Sequence, residues 1–450
     1  MEQTIAAVAT APGEGGIGIV RVSGPESYEI LKKIFRRPAG ERMKTMENRR
    51  LIYGNIVDSS GSVIDEAMVV YMKAPHTYTG EDVAEIQCHG SSISLRRILA
   101  EILRSGAVLA ERGEFTKRAF LSGRIDLSQA EAVIDVIKAK SEAGFQSAVS
   151  QMGGSLSAQI QSVRTQLADL ISNIIAHIEY PEEDLEELTY EKILEETAAI
   201  SRRIEKLIAS ADTGRIVRDG LKLCIAGRPN VGKSSLMNAL LKSDRAIVTD
   251  IPGTTRDTIE EFASIAGIPV RLIDTAGIRD TEDRVEQIGV RMALDRVKTA
   301  QFVLAVFDAS EELNDDDRAL MDAIGDTPAV AVINKSDLAP KIDRAEIDKH
   351  FKEVVTVSAI SGEGLPALQN AAAHALKTAE LNPNDGILYT ERQRADVQEA
   401  LTALEEAENA LLMGMTWDAV TVSLEGAIAA LNELTGERVS DAVVDQVFEK

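Results

Sequence analysis

Apolar residues recur along this chain with two distinct periods. Leu156, Ile160, Val163, Leu167, Leu170 and Ile174 follow one another at alternating steps of four and three, which places them on one stripe of a long helix. Helical texture of this kind covers about 125–212 and returns from Glu391 onward with Val397, Leu401 and Leu404. Residues 1 to about 118 instead mix short strand-like runs (5–9, 17–22, 66–72 and 83–88) with a helical pattern near 92–105, the mark of an α+β domain. Between the helical tracts lie compact apolar runs at 221–226 and 329–333 and a strand-like 270–273. Neither helical tract is self-sufficient, so the two read as one helical domain interrupted by an inserted α/β domain.

The loops after those runs carry the chemistry. Residues 227–234 read Gly-Arg-Pro-Asn-Val-Gly-Lys-Ser, a G-x-x-x-x-G-K-S phosphate loop between a strand and a helical pattern, whose backbone N–H groups converge where a triphosphate sits. Asn230, Val231, Gly232, Lys233, Ser234 and Ser235 are its nucleotide-binding candidates. Lys233 is placed to reach the β- and γ-phosphates and the Ser234 hydroxyl to ligate Mg²⁺. Asp274, Thr275, Ala276 and Gly277 follow the run at 270–273, giving a carboxylate for the Mg²⁺ shell and a glycine that meets the γ-phosphate. Asn334-Lys335-Ser336-Asp337 follows the run at 329–333. The Asp337 carboxylate accepts from guanine N1–H and the 2-amino group together, while the Lys335 stem covers the base. Val357-Ser358-Ala359 would present a backbone N–H to the guanine carbonyl. Any one of these short motifs could be an ordinary turn, but four in this order at strand ends specify a Ras-like P-loop GTPase domain, binding GTP and GDP.

Four segments are therefore expected: an α+β domain at 1–118, the first part of a helical domain at 119–215, the GTPase domain at 216–378 and the second helical part at 379–450. The fold class is multidomain α/β and α. The 450 residues suit about three domains, and the net charge of −23 excludes a protein that grips bare nucleic acid over its whole surface. Any RNA contact is local or shared with a partner. Two cysteines, Cys88 and Cys224, lie far apart, which supports neither a disulfide framework nor a zinc site. No cleavable signal and no bilayer-spanning apolar run is present, so a cytoplasmic protein without membrane attachment is expected. The acidic run 179–196 reads as a solvated connection.

The switch segments add detail. Ile278 follows the Asp-x-x-Gly motif where many small GTPases carry a Gln that orients water, so another residue has that task. Asp280, Glu282, Asp283 and Glu286 are the nearby carboxylates. Thr249, Asp250, Ile251, Pro252, Gly253, Thr254 and Thr255 form the natural first switch, with Thr255 as sensor of the γ-phosphate and Mg²⁺.

The phosphate loop G-R-P-N-V-G-K-S, the switch G-T-T-R-D, the segment D-T-A-G-I-R and the N-terminal T-I-A-A-V-A-T-A-P-G-E-G-G-I-G-I-V-R-V-S-G together resemble the MnmE (TrmE) family of tRNA modification GTPases. The resemblance runs from Thr4 to the chain end. Its discriminating parts are N-terminal and include Tyr78-Thr79-Gly80-Glu81-Asp82, Arg112-Gly113-Glu114-Phe115-Thr116 and Arg124-Ile125-Asp126-Leu127. It implies a homodimer joined through the N-terminal domains, which bind a tetrahydrofolate one-carbon donor (5,10-methylene or 5-formyl). It also implies an FAD-dependent MnmG partner, together forming a heterotetramer that modifies C5 of the wobble uridine (position 34) of certain tRNAs.

By matching positions, the resemblance implies that Arg21, Glu81 and Arg124 contact the folate; the family often has Lys at the third, so Arg124 keeps the cation with another geometry. It further implies that Asn230, Thr249, Ile251 and Thr254 surround K⁺ and that Glu286 orients the attacking water. Lys233, Thr255 and Glu286 are thus the catalytic candidates. A cation beside the β- and γ-phosphates stabilises charge as an inserted arginine would. The family generally finishes with F-C-x-G-K, whereas this chain stops at Val447-Phe448-Glu449-Lys450; the expectation is a form that hydrolyses GTP and dimerises without completing the modification. The competing reading is a ribosome-assembly GTPase acting as a binding checkpoint, which calls for a basic RNA-binding module that this acidic chain lacks. A signalling switch driven by separate activating proteins is disfavoured by the in-chain cation site.

Overall fold

The computed structural model describes residues 3–41, 43, 45–139, 141–180, 189–243, 262–265, 268–272, 297–376, 386–438 and 440–448. The chain forms two compact units, one of Met1–Glu131 with Gly436–Lys450, the other of Ala132–Thr435.

In the first unit a seven-stranded sheet runs in the order β3-β4-β5-β6-β2-β1-β7. Its strands are β1 (Ile5–Val8), β2 (Gly15–Ser23), β3 (Phe35–Arg36), β4 (Ile52–Val57), β5 (Val63–Met72), β6 (Val83–Gly90) and β7 (Val108–Leu109). All neighbours pair antiparallel except β1 and β7. Helices α1 (Ser27–Ile34) and α2 (Ser92–Arg104) pack on it, burying Ile30, Leu31, Ile34, Ile98 and Ile102 against Val20, Val69 and Ile86. One-sided cover by helices is what alternating strands demand. Helix α3 (Glu114–Leu121) and the start of α4 (Leu127–Lys138) form a smaller core in which Phe120 and Leu127 meet Val444 and Phe448. The first unit therefore passes the expected limit at residue 118 and takes in the chain end, because these apolar side chains have one another as partners.

The second unit holds the helical bundle and the inserted sheet. After α5 (Glu142–Met152), helix α6 (Ser155–Glu179) buries Leu156, Ile160, Val163, Leu167, Leu170 and Ile174, the full stripe read from the sequence. It packs with α7 (Tyr190–Asp219) and the helices Glu391–Leu412 and Trp417–Thr435 in one core that joins Ile200 and Ile204 to Leu404 and Leu424. Halves separated by the insertion thus share a single interior. Two expectations change here. Residues 190–196 of the acidic run are the first turns of α7, where Ile193 is buried while Glu191, Glu195 and Glu196 face outward. The expected boundary at 215/216 also falls inside α7, which continues to Asp219.

The inserted sheet has the order β13-β12-β11-β8-β10-β9. It is built from β8 (Leu221–Ala226), β9 (Phe262–Ile265), β10 (Ile268–Leu272), β11 (Phe302–Asp308), β12 (Ala329–Asn334) and β13 (Val354–Thr356). Only the β9 pairing is antiparallel. Helix α8 (Lys233–Ser243) lies on one face with 365–375, and 315–324 and 344–350 cover the other. Two-sided cover explains why β11 is buried at every position. Parallel strands of this kind gather their loops at the carboxyl ends, where such folds bind ligands.

Candidate functional site

β8 ends at Ala226 and α8 begins at Lys233, which leaves 227–232 as the connecting loop. Gly232 takes φ +97, and a Cβ there would lie 2.2 Å from Asn334 Nδ2. Only glycine allows that approach. Asn230, exposed at the loop tip, adopts φ +63, a conformation that Asn tolerates better than most residues. Arg228 anchors the other side: it pairs with Asp317 at 2.9 Å and Glu311 at 3.3 Å. Asp317 also closes a capping box with Asn314 at the start of helix 315–324. Burial raises the Asp317 pKa in spite of Arg228.

Lys233 folds back over this loop. Its Nζ donates to the carbonyls of Gly227 at 2.9 Å and Arg228 at 2.6 Å, and burial pulls its pKa below the usual lysine range. An anion brought beside it would favour the charged form. Val231 is buried, whereas Ser234 and Ser235 are exposed on the first turn of α8. A hydroxyl at the positive end of a helix suits the Mg²⁺–phosphate pair.

The base-recognition loops are tied to the phosphate loop. Asn334, 2% exposed, donates through Nδ2 to the Val231 carbonyl at 2.8 Å and accepts through Oδ1 from the Ala359 amide at 3.0 Å. Asp337 Oδ1 accepts from Ser358 Oγ at 2.7 Å, which fixes the carboxylate between the third and fourth motifs. Lys335 takes φ +64 and its Nζ meets Asp308 Oδ2 at 2.5 Å. Burial alone would raise Asp308, but hydrogen bonds from Lys335 and Ser310 outweigh it and hold the carboxyl below its usual range. The amides of Ser358 and Ala359 are engaged within the chain, to Glu363 O at 3.0 Å and Asn334 Oδ1, because the loop closes on itself. A guanine carbonyl would share the Ala359 donor.

Thr249, Asp250, Ile251, Pro252, Gly253, Thr254 and Thr255, with Asp274, Thr275, Ala276, Gly277 and Glu286, lie outside the described residues.

Arg21 and Arg124 come together around one ring. The Arg21 guanidinium lies 5.4 Å from the Tyr78 centroid and 5.7 Å from that of Phe115. Arg124 lies 5.0 Å from the same Tyr78 centroid and donates to the Tyr78 carbonyl at 2.7 Å. Glu81 accepts from Ser23 Oγ at 2.6 Å and from Arg118 at 2.9 and 3.1 Å. Arg21 pairs with Glu85 at 2.8 Å, so Arg21 and Glu81 each have an internal counter-ion. Cations over aromatic faces beside fixed carboxylates suit a flat, polar heterocycle with an acidic tail. The sequence did not single out Arg118, which pairs with Glu81, or the Tyr78 ring between the two arginines. The Glu114–Arg118 spacing of four on α3 was the available signal for Arg118.

Comparison with known proteins covers the whole chain. Residues 127–450 match the family described as MnmE helical domain, and residues 4–124 that described as GTP-binding protein TrmE N-terminus. The chain is 44% identical over 451 residues to the tRNA modification GTPase MnmE of Clostridioides difficile (strain 630), covering 100% of this chain and 98% of that protein. It is 43% identical over 451 residues to the protein of that name from Bacillus subtilis (strain 168), covering 99% and 98%. Among solved structures, the G domain of the T. maritima FeoB iron transporter is 30% identical over 34% of this chain and 98% of that chain, at a TM-score of 0.25.

Proposed function

Because the chain belongs to the MnmE family of tRNA modification GTPases, we propose that it couples potassium-dependent GTP hydrolysis to modification at C5 of the wobble uridine, position 34, of certain tRNAs. In this reading a tetrahydrofolate derivative supplies the one-carbon unit, and an FAD-dependent flavoprotein works with a homodimer of this chain in a heterotetramer. The site of action is the cytoplasm. Among the described residues, no helix is long and apolar enough to cross a membrane.

The observation that carries the reading is the coexistence of two built sites in one chain. Asn334 links the phosphate and base loops, and Arg21 with Arg124 brackets Tyr78 beside Glu81. In the nucleotide site Lys233 would neutralise the phosphates and Asp337 would select guanine. Ser234 and Thr255 would hold Mg²⁺, and Asn230, Thr249, Ile251 and Thr254 would hold K⁺. These cations supply charge stabilisation at the β- and γ-phosphates when bound. Glu286 would orient the water in place of the Gln that Ile278 displaces. At the N-terminal site, Arg21 and Arg124 would hold the folate's anionic and aromatic parts and Glu81 its heterocyclic donors.

The test is reconstitution of the chain, carrying Phe-Cys-Ile-Gly-Lys appended after Lys450, with the flavoprotein, a reduced folate, unmodified tRNA and GTP in KCl. Mass spectrometry of the wobble nucleoside should show an added C5 substituent that disappears without GTP or folate. An unmodified wobble uridine in the complete mixture, or modification indifferent to GTP, would overturn the proposal.

A further inference from the structure

A cavity of about 470 Å³ opens where the chain passes twice between the helical bundle and the inserted sheet. Arg218 and Asp219, the end of α7 just before β8, form part of its lining, and so does Tyr389, next to the start of helix 391–412. The two passages touch closely, since a Cβ at Gly214 would lie 2.3 Å from the Leu388 carbonyl oxygen. Arg218 bridges them further: Nε donates to Asp135 at 2.8 Å and Nη1 to the Tyr389 carbonyl at 3.3 Å. Ala139, Gly144 and Ala148 leave the space open by their small size. The Tyr389 phenol is pushed up to about 12 by burial and bonds to Ser147, so it stays neutral.

Gln151 stands apart from these satisfied groups. It lines the same cavity and is 2% exposed, yet among the described residues neither Oε1 nor Nε2 has a hydrogen-bond partner. Buried polar atoms are almost always paired, and leaving them unpaired is destabilising. A carboxamide offers an acceptor beside a donor, the arrangement with which glutamine reads the edge of a nucleobase. The volume falls in the range of small-molecule pockets. The Arg218–Asp135 pair balances charge within the lining, which favours a neutral occupant.

We propose that this cavity binds a small, neutral, planar heterocycle of the nucleobase class through the Gln151 carboxamide. Such an occupant rests on both chain passages at once. Its binding is therefore linked to the nucleotide domain, because α7 leads through Gly220 into β8 and the phosphate loop.

The experiment uses the full chain with saturating GDP, so that the guanine site is filled. Saturation-transfer NMR screens adenine, guanine, cytosine and uracil and their nucleosides at about 1 mM, the weak end of specific binding. At least one base should bind, and the nucleoside arm shows whether a ribose is accommodated. Gln151→Leu keeps the volume and removes the polar pair; it should weaken binding roughly tenfold or more with GDP affinity unchanged. Ala148→Leu fills the space and should abolish binding. If Gln151→Leu fails to fold, Ala148→Leu decides. Absence of binding by every compound, binding unchanged in the folded variants, or a crystal structure soaked with the bases in which water alone satisfies Gln151, would overturn the proposal.

Discussion

Asn334 donates to the backbone carbonyl of Val231 at 2.8 Å across 103 residues of sequence. One buried carboxamide thus joins the loop that meets phosphate to the loop that meets the base. Asn334→Ala removes this bond and the one from Ala359, leaving a buried carbonyl and amide unpaired. At about 1–3 kcal/mol for such a loss, GDP affinity should fall about ten- to hundredfold, with a lower melting temperature. Calorimetric GDP titration and a thermal melt check both, and unchanged affinity would show that the two loops hold position independently.

Asp337 is an acceptor held in place by Ser358. Asp337→Asn exchanges one acceptor oxygen for a donor, which opposes the guanine 2-amino group and suits the C2 carbonyl of xanthine. GDP binding should weaken by at least roughly tenfold, in line with bonds to charged groups, while xanthosine diphosphate gains. Competition against a fluorescent GDP analogue measures the exchange directly.

The Asp308–Lys335 pair makes a pH prediction. Asp308 sits below its ordinary 3.8 in the folded state, so the stability it contributes is fully present above that value and is lost as pH falls through the depressed folded-state value. Asp308→Asn should therefore be less stable than the parent at neutral pH, with the difference narrowing on acidification below about pH 4. Urea midpoints from pH 7 down to the acid limit of folding test this; a constant difference would remove the charge from the account.

Hydrolysis in KCl should far exceed that in NaCl at equal ionic strength, since Asn230 would help hold the cation. Asn230→Ala should erase the contrast. Glu286→Ala should slow single turnover by about 10²–10⁴-fold, the usual scale for a residue that positions or deprotonates a nucleophile, with GTP affinity nearly intact. Equal rates in the two salts, or wild-type single turnover in Glu286→Ala, would each remove that residue's assigned role.

Legibility in the sequence followed the range of the interaction. The α6 stripe from Leu156 to Ile174 is a local period, and its burial follows from that period alone. Helix 391–412 begins at Glu391, where helical texture returned, because Thr390 and Gln393 form a capping box within four residues. The two-residue strands β3 and β7 are too short to carry a period. Arg118 reaches Glu81 across 37 residues, and the Ser358 and Ala359 amides are engaged by partners that tertiary closure supplies. Residues 190–196 of the acidic run are helix rather than connection because charge marks the solvent face of α7 as readily as it marks a loop.

The central claim is that a reduced folate binds this GTPase at Arg21, Glu81 and Arg124, and calorimetric titration of 5-formyltetrahydrofolate into the full-length chain tests it most directly. About one site per chain is predicted, with unchanged affinity at saturating GDP and roughly tenfold or greater weakening in Arg21→Ala and Arg124→Ala, each of which removes a charge-assisted contact. A chain that hydrolyses GTP but gives no folate binding isotherm would contradict the account and favour a checkpoint GTPase without one-carbon chemistry.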